Sequence, residues 1–239
     1  MYKVQRAILL AAGRGSRMRE LTETTPKPML KINGTRIIDT MIRGLLSNGI
    51  EEIYIVTGYL KERFREVAAD YPQVKLVENP YAGQANNISS VYVVRDLLEN
   101  AMILEADQYF LDPAPLAPDF QHTEYDAYWT ENAPEWTADL DENDRILKID
   151  EVHEGPGWLI YGVARLAPED AQKLKELVEY EFETNHNWNI CWDKIPLFLH
   201  KDDFNVYIRR TPDHLRVETD SVEEIARLDP TYLPYVRNA

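Results

Sequence analysis

The chain has a single cysteine, Cys191, in 239 residues, so no internal disulfide can form. It has no apolar run of about 18 residues, and Met1-Tyr2-Lys3-Val4 shows no signal-peptide pattern. The expectation is a soluble, cytoplasmic protein with no membrane partner. Basic residues are scarce: 26 Lys and Arg stand against 41 Asp and Glu, a formal charge of −15, so a face able to neutralise a nucleic-acid backbone is not expected. The five histidines (122, 153, 186, 200 and 214) lack metal-ligand spacing, and nothing in the sequence pairs Cys191 with a base. Repeats, low-complexity tracts and linkers rich in Gly, Ser or Pro are also missing, so two independent domains are not expected.

What is present is 44% hydrophobic residues, enough for a sizeable core. RAILLAA, 6–12, is a short apolar run ending in small residues, which suits a strand buried on both faces. RIIDTMIRGLLSNGI, 36–50, has apolar residues at helical spacing and Asn48-Gly49 as its stop. EEIYIVTG, QVKLVENP and MILEAD read as strands, and YLKERFREVAADY and NISSVYVVRDLLENA as helices. This alternation predicts an α/β fold with a doubly wound, mostly parallel sheet. Residues 1 to about 110 form the nucleotide-binding half of a single domain. Residues 111–239 hold DAYWT, RILKIDEV, GWLIYGVARL and FNVYIRR, the helix PEDAQKLKELVEYEF and all five tryptophans. This half is expected to be a small β-rich insertion or lid that binds an acceptor.

A loop of small and basic residues follows the first strand, AILLAAGRGSRMRELTETTPKPML, 7–30. A dinucleotide fingerprint would need glycine where Met18 stands, and no G-x-x-x-x-G-K occurs. What remains is L-A-A-G-x-G-x-R followed by P-K-P. Leu10, Ala11, Ala12, Gly13, Arg14 and Gly15 allow a nucleotide to approach backbone closely, and Arg17 and Lys27 add fixed positive charge.

This pattern resembles the nucleotidyltransferases that make NDP-sugars and CDP-alcohols. The resemblance implies that the loop lies over a triphosphate, with Arg17 and Lys27 stabilising charge as pyrophosphate leaves. It also implies Mg²⁺, with Asp107 after the strand MILEAD as one metal ligand and Asp220 of LRVETDSVEEI as the second. Ser221 is placed to cap the next helix, and Glu218 lies two residues before Asp220 on the same side of the strand.

NPYAGQANNISSVY, 79–92, puts Tyr81, Asn86, Asn87 and Ser89 where amides and hydroxyls could read a cytosine edge. Together with GYLKE, EADQYF, PEW (134–136), CWD (191–193) and ETDS, the resemblance narrows to bacterial CTP:phosphocholine cytidylyltransferases and related phosphonate-activating enzymes. The implied reaction joins CTP to phosphocholine, with 2-aminoethylphosphonate a close second. A quaternary ammonium needs aromatic faces and a nearby carboxylate. Trp136 and Trp192, with Asp193 and Glu218, are the expected acceptor residues, and Trp129 and Trp158 are expected in the core or a dimer interface. One departure is Cys191 in place of a tyrosine, which favours a primary amine. A homodimer is compatible with this reading. The rivals are a sugar-1-phosphate nucleotidyltransferase, which usually carries a Gly-Thr-Ala loop missing here, and a silent nucleotide-sensing subunit.

Overall fold

The structure is a computed structural model that describes residues 1–133 and 136–236. Pro134 and Glu135, which belong to the PEW motif, lie outside the described residues.

Four parallel strands form one half of a nine-stranded sheet: Val74–Glu78, Glu52–Thr57, Arg6–Ala11 and Ala101–Glu105, in that spatial order. In chain order this is 3-2-1-4, the doubly wound pattern that opens a crevice at the carboxyl ends of the two central strands. Arg6–Ala11 is central, so both of its faces are covered. Ile8 and Leu10 enter the core formed with the helices Ile88–Val93 and Pro168–Glu179. Ala7, Leu9 and Ala11 enter the opposite core, against Ile37–Ser47. The period of two in a strand divides a continuous apolar run between two layers.

The helix Ile37–Ser47 buries Ile38, Met41, Ile42 and Leu45 completely, as its i, i+3, i+4 spacing predicts. It ends at Asn48 and Gly49, the glycine at φ +76°. The two other first-half helices are shorter than predicted. Lys61–Phe64 is a 3₁₀ turn leading into Arg65–Asp70, and Ile88–Val93 breaks before a second 3₁₀ turn, Arg95–Leu97. β-branched Val93 and Val94 near the break disfavour further helix.

The second half continues the same sheet. Gly157–Arg165 pairs antiparallel with Ala101–Glu105, and Thr123–Thr130 pairs with Gly157–Arg165 on one side and with Val206–Arg210 on the other. Thr137–Leu140 and Ile146–Asp150 complete the far edge. A fully buried ion pair at 2.5 Å, Arg165 to Asp126, ties Gly157–Arg165 to Thr123–Thr130.

Of the two tryptophans expected in the core or a dimer interface, Trp158 packs against the core, whereas Trp129 is exposed. They meet edge to face with ring centres 5.7 Å apart; Trp129 is 51% exposed and the Arg210 guanidinium lies 4.7 Å above the Trp158 ring. Both lie near strand ends.

Candidate active site

Gly15 has φ +64°, and a Cβ there would sit 2.9 Å from Lys27 Cβ. The second glycine of the signature therefore both makes the turn and lets Lys27 pack against it. Lys27 begins a 3₁₀ turn, Lys27–Met29, held between Pro26 and Pro28, and it is buried.

Asp107 and Asp220 are 113 residues apart in sequence and are joined by a short two-stranded ladder. Gln108–Phe110 pairs antiparallel with Arg216–Glu218, and buried Thr219 donates to the Asp107 carbonyl through its N–H at 3.0 Å and its hydroxyl at 2.7 Å. The strand stops at Glu218, two residues earlier than the sequence suggests, because Ser221 starts a capping box. The Ser221 hydroxyl accepts from Glu224 N–H, and the Glu224 carboxylate accepts from Ser221 N–H. Asp220 is thus held between a ladder and a helix start.

Lys27 Nζ then lies 3.1 Å from Asp107 and 2.6 Å from Asp220, and Arg17 reaches Asp220 at 2.6 Å. The four residues that the sequence motifs single out thus converge. Burial works to lower the Lys27 pKa, but Asp107 and Asp220 more than offset it and hold the ammonium above its ordinary range. Burial likewise works to raise the Asp220 pKa, and Lys27 and Arg17 reverse this. At Glu218 burial first, then Asp107, outweighs Arg216 and Lys27 and pushes the carboxyl to about 7.

Asp107 Oδ1 is buried with no hydrogen-bond partner, which suits a divalent cation. Among the described residues no cluster of three or more His, Cys, Asp or Glu could hold a metal unaided. Two carboxylates completed by phosphate oxygens and water match the chemistry of Mg²⁺.

Beside these residues lies a cleft in two parts, of about 840 and 300 Å³. Leu10, Ala11, Ala12, Gly13, Gly15, Arg17, Lys27 and Asp107 line the smaller part, with Glu105. Glu105 was not singled out by the sequence. Its signal was the Glu-x-Asp spacing that it shares with Glu218 and Asp220, which places both carboxylates on one side of a strand. Burial, then Asp107 and Asp193, raises its pKa well above the ordinary range, against a hydrogen bond from Asn87. Arg14, Tyr59, Asn79 and Gln84 line the larger part with Asn86, Asn87 and Ser89. The Arg14 guanidinium lies 5.7 Å over the Tyr59 ring. Gly58 is needed here, because a Cβ would come within 2.3 Å of Ala82 Cβ.

Several expected base-reading groups are already engaged. Asn87 Nδ2 donates to Glu105 at 2.9 Å, and its Oδ1 accepts from Trp192 N–H at 2.9 Å. Asn86 Oδ1 accepts from Asn87 N–H, and its Nδ2 donates to the Asn189 carbonyl. The Ser89 hydroxyl donates to the Asn86 carbonyl and accepts from Asn79. These side chains help build the wall of the cleft, and Asn86 and Asn87 each keep a second amide N–H for a ligand. Tyr81 is not in the cleft wall. Its ring packs edge-on against Tyr92 and Phe182.

The expected aromatic acceptor residues do not form a cage. Trp192 is buried, with its ring stacked on Tyr125 at 5.9 Å, and half-buried Trp136 meets Phe198 edge to face at 5.3 Å. Asp193 lies next to Glu105, and burial lifts its pKa to about 6. Burial, then Asp193 and Glu105, pushes the Cys191 thiol to about 11, which disfavours its thiolate form. No helix among the described residues is long and apolar enough to cross a membrane.

The model of the MobA-like NTP transferase domain matches residues 7–169. The chain is 33% identical to a 2-aminoethylphosphonate cytidylyltransferase of Lancefieldella rimae, covering 97% of this chain and 95% of that one. It is 29% identical to a choline-phosphate cytidylyltransferase of Streptococcus pneumoniae, covering 94% and 96%. A solved CTP:phosphocholine cytidylyltransferase from the same organism superposes with a TM-score of 0.88 at 29% identity, covering 95% of this chain and 98% of that one. With the signature loop, the crevice and the carboxylates in these places, the chain belongs to the MobA-like NTP transferase family and is a nucleotidyltransferase.

Proposed function

We propose that this enzyme transfers CMP from CTP to a small phosphate or phosphonate that carries a cationic amine, of the phosphocholine or 2-aminoethylphosphonate kind, and releases pyrophosphate. The observation that carries the reading is the convergence of Arg17, Lys27, Asp107 and Asp220 at the mouth of the crevice. The names of the relatives agree with it.

An acceptor oxygen attacks the α-phosphorus in line, forming one P–O bond as the bond to the departing pyrophosphate breaks. No covalent enzyme intermediate is involved, so the protein's task is positioning and charge neutralisation. Lys27 and Arg17 offset charge that builds on the phosphates. Asp107 and Asp220 would hold Mg²⁺, which supplies electrostatic stabilisation of phosphate oxygens when bound. Glu105, Asp193 and Glu218 add acidic groups beside Asp107 and Asp220, which suits a metal ion and a cationic acceptor together.

The test is pyrophosphate release with CTP, UTP, dTTP or ATP, each crossed with phosphocholine, phosphoethanolamine, 2-aminoethylphosphonate and glucose 1-phosphate, with and without Mg²⁺. The expected outcome is Mg²⁺-dependent release with CTP and an amine-bearing acceptor. Release with glucose 1-phosphate alone, or none with CTP, would overturn the proposal.

A further inference from the structure

We infer that Tyr59, the tyrosine of GYLKE, is a positioning residue for the triphosphate: it pins the signature loop at three points, so that Arg14 and Arg17 are in place before CTP binds. This rests on the cytidylyl-transfer reading above, which puts that loop over the phosphates. The loop is not rigid by itself. Ser16–Thr22 is a 3₁₀ helix of seven residues, and helices of this kind rarely run beyond about four because their hydrogen bonds are poorly aligned. On one side it is held by fully buried Met18, which packs in a small core with Leu30, Ile37 and Ile225. Arg17 next to it has a side chain 70% exposed, so its aim at Asp220 depends on the backbone beneath it.

Tyr59 holds the other side. Its N–H donates to the Ala12 carbonyl at 3.1 Å, and its ring lies 5.7 Å beneath the guanidinium of exposed Arg14. Its hydroxyl reaches the Thr22 carbonyl at 2.8 Å and the Glu23 carbonyl at 3.1 Å. Those two carbonyls close the 3₁₀ helix, where no further turn supplies a donor. The contacts of one side chain and its own N–H therefore bracket Arg17, from residue 12 to residue 23.

The turn that carries Tyr59 is shaped for this contact. A Cβ on Gly58 would fall 2.9 Å from the Ala12 carbonyl oxygen, so a larger residue there would push Tyr59 off the loop. Leu60 takes φ +49°, a left-handed conformation that is costly for leucine and that turns the chain directly after Tyr59. Lys61 then pairs with Glu78 at the end of the neighbouring strand Val74–Glu78. Tyr59 is only half-buried and lines the larger part of the cleft, unlike a tyrosine that serves the core alone.

The experiment measures pyrophosphate release by Tyr59→Phe and Tyr59→Leu, varying CTP and an amine-bearing acceptor in turn, together with Kd for CTP by calorimetry and Tm. Tyr59→Phe, which loses only the hydroxyl, should raise KM and Kd for CTP about tenfold, or about 1.4 kcal/mol, and leave KM for the acceptor within twofold. Tyr59→Leu, which also loses the ring, should raise KM for CTP further with the same acceptor KM. In the wild-type enzyme, amide hydrogen exchange across residues 13–23 should already be slow without CTP. A KM for CTP within twofold of wild type in Tyr59→Phe, a parallel rise in both KM values, or a loss of kcat that only follows a loss of Tm would overturn the inference. So would fast exchange of the CTP-free loop. No turnover by the wild-type enzyme with CTP and any amine-bearing acceptor would instead overturn the parent reading, and CTP affinity and exchange would still decide the role of Tyr59.

Discussion

Lys27 is the residue on which the chemistry turns, because it is buried and touches both Asp107 and Asp220. Replacing it with Met should lower kcat by roughly a hundredfold to a thousandfold, as for loss of one preorganised charge donor. Circular dichroism should show the fold intact, and a kcat within threefold of wild type would remove Lys27 from the mechanism. Asp107→Ala should abolish Mg²⁺-dependent turnover in the same assay. Gly15→Ala is a sharper probe of the loop. At φ +64° and 2.9 Å from Lys27, a methyl group should cost about 1–2 kcal/mol and displace the ammonium, so kcat should fall more than stability alone explains. Not every residue follows the expectation from its type. Asn87 and Ser89 have the groups to read a base, yet their polar atoms bind one another's neighbours. Sequence reveals which hydrogen bonds a side chain can make, and only the fold shows which are already made.

At the scale of elements, the site is an assembly of strand ends and helix starts. Ala101–Glu105 delivers Asp107, and the ladder between Gln108–Phe110 and Arg216–Glu218 delivers Asp220. The capping box at Ser221 fixes where that second arm turns. Ser221→Ala should therefore cost about 1 kcal/mol, read as a drop of roughly 2–4 °C in Tm, and should lower kcat as Asp220 loses its anchor. A normal kcat with the lowered Tm would confine Ser221 to a structural role. Glu-x-Asp and Ser-x-x-Glu are legible in the sequence because their periods match a strand and a helix start. The break in the helix after Val93 and the burial of Trp192 were not, since each depends on what packs across the sheet.

For the whole molecule, the excess of buried carboxylates has a consequence for pH. The Glu218 pKa is raised on folding from 4.5 to about 7 and that of Asp193 from 3.8 to about 6. Such groups ionise more readily in the unfolded chain, so stability falls as pH rises between the unfolded and folded values. For Glu218 the window runs from about 4.5 to about 7, and the full shift corresponds to roughly 3 kcal/mol at most. Urea unfolding of Glu218→Gln and wild type should diverge across that window by up to this amount; parallel curves would show that Glu218 is not so perturbed. The sequence by itself determined the α/β class, the parallel core and the signature loop, because apolar periodicity and glycine placement act over a few residues. It also pointed to Arg17, Lys27, Asp107 and Asp220, whose types and neighbours mark them. Only the tertiary structure decided that the 107 and 220 arms pair, that Glu105 joins the site, and that Trp192 and Tyr125 cover each other. Those outcomes depend on contacts between segments tens to more than a hundred residues apart, and no local pattern encodes which partner a buried group will meet.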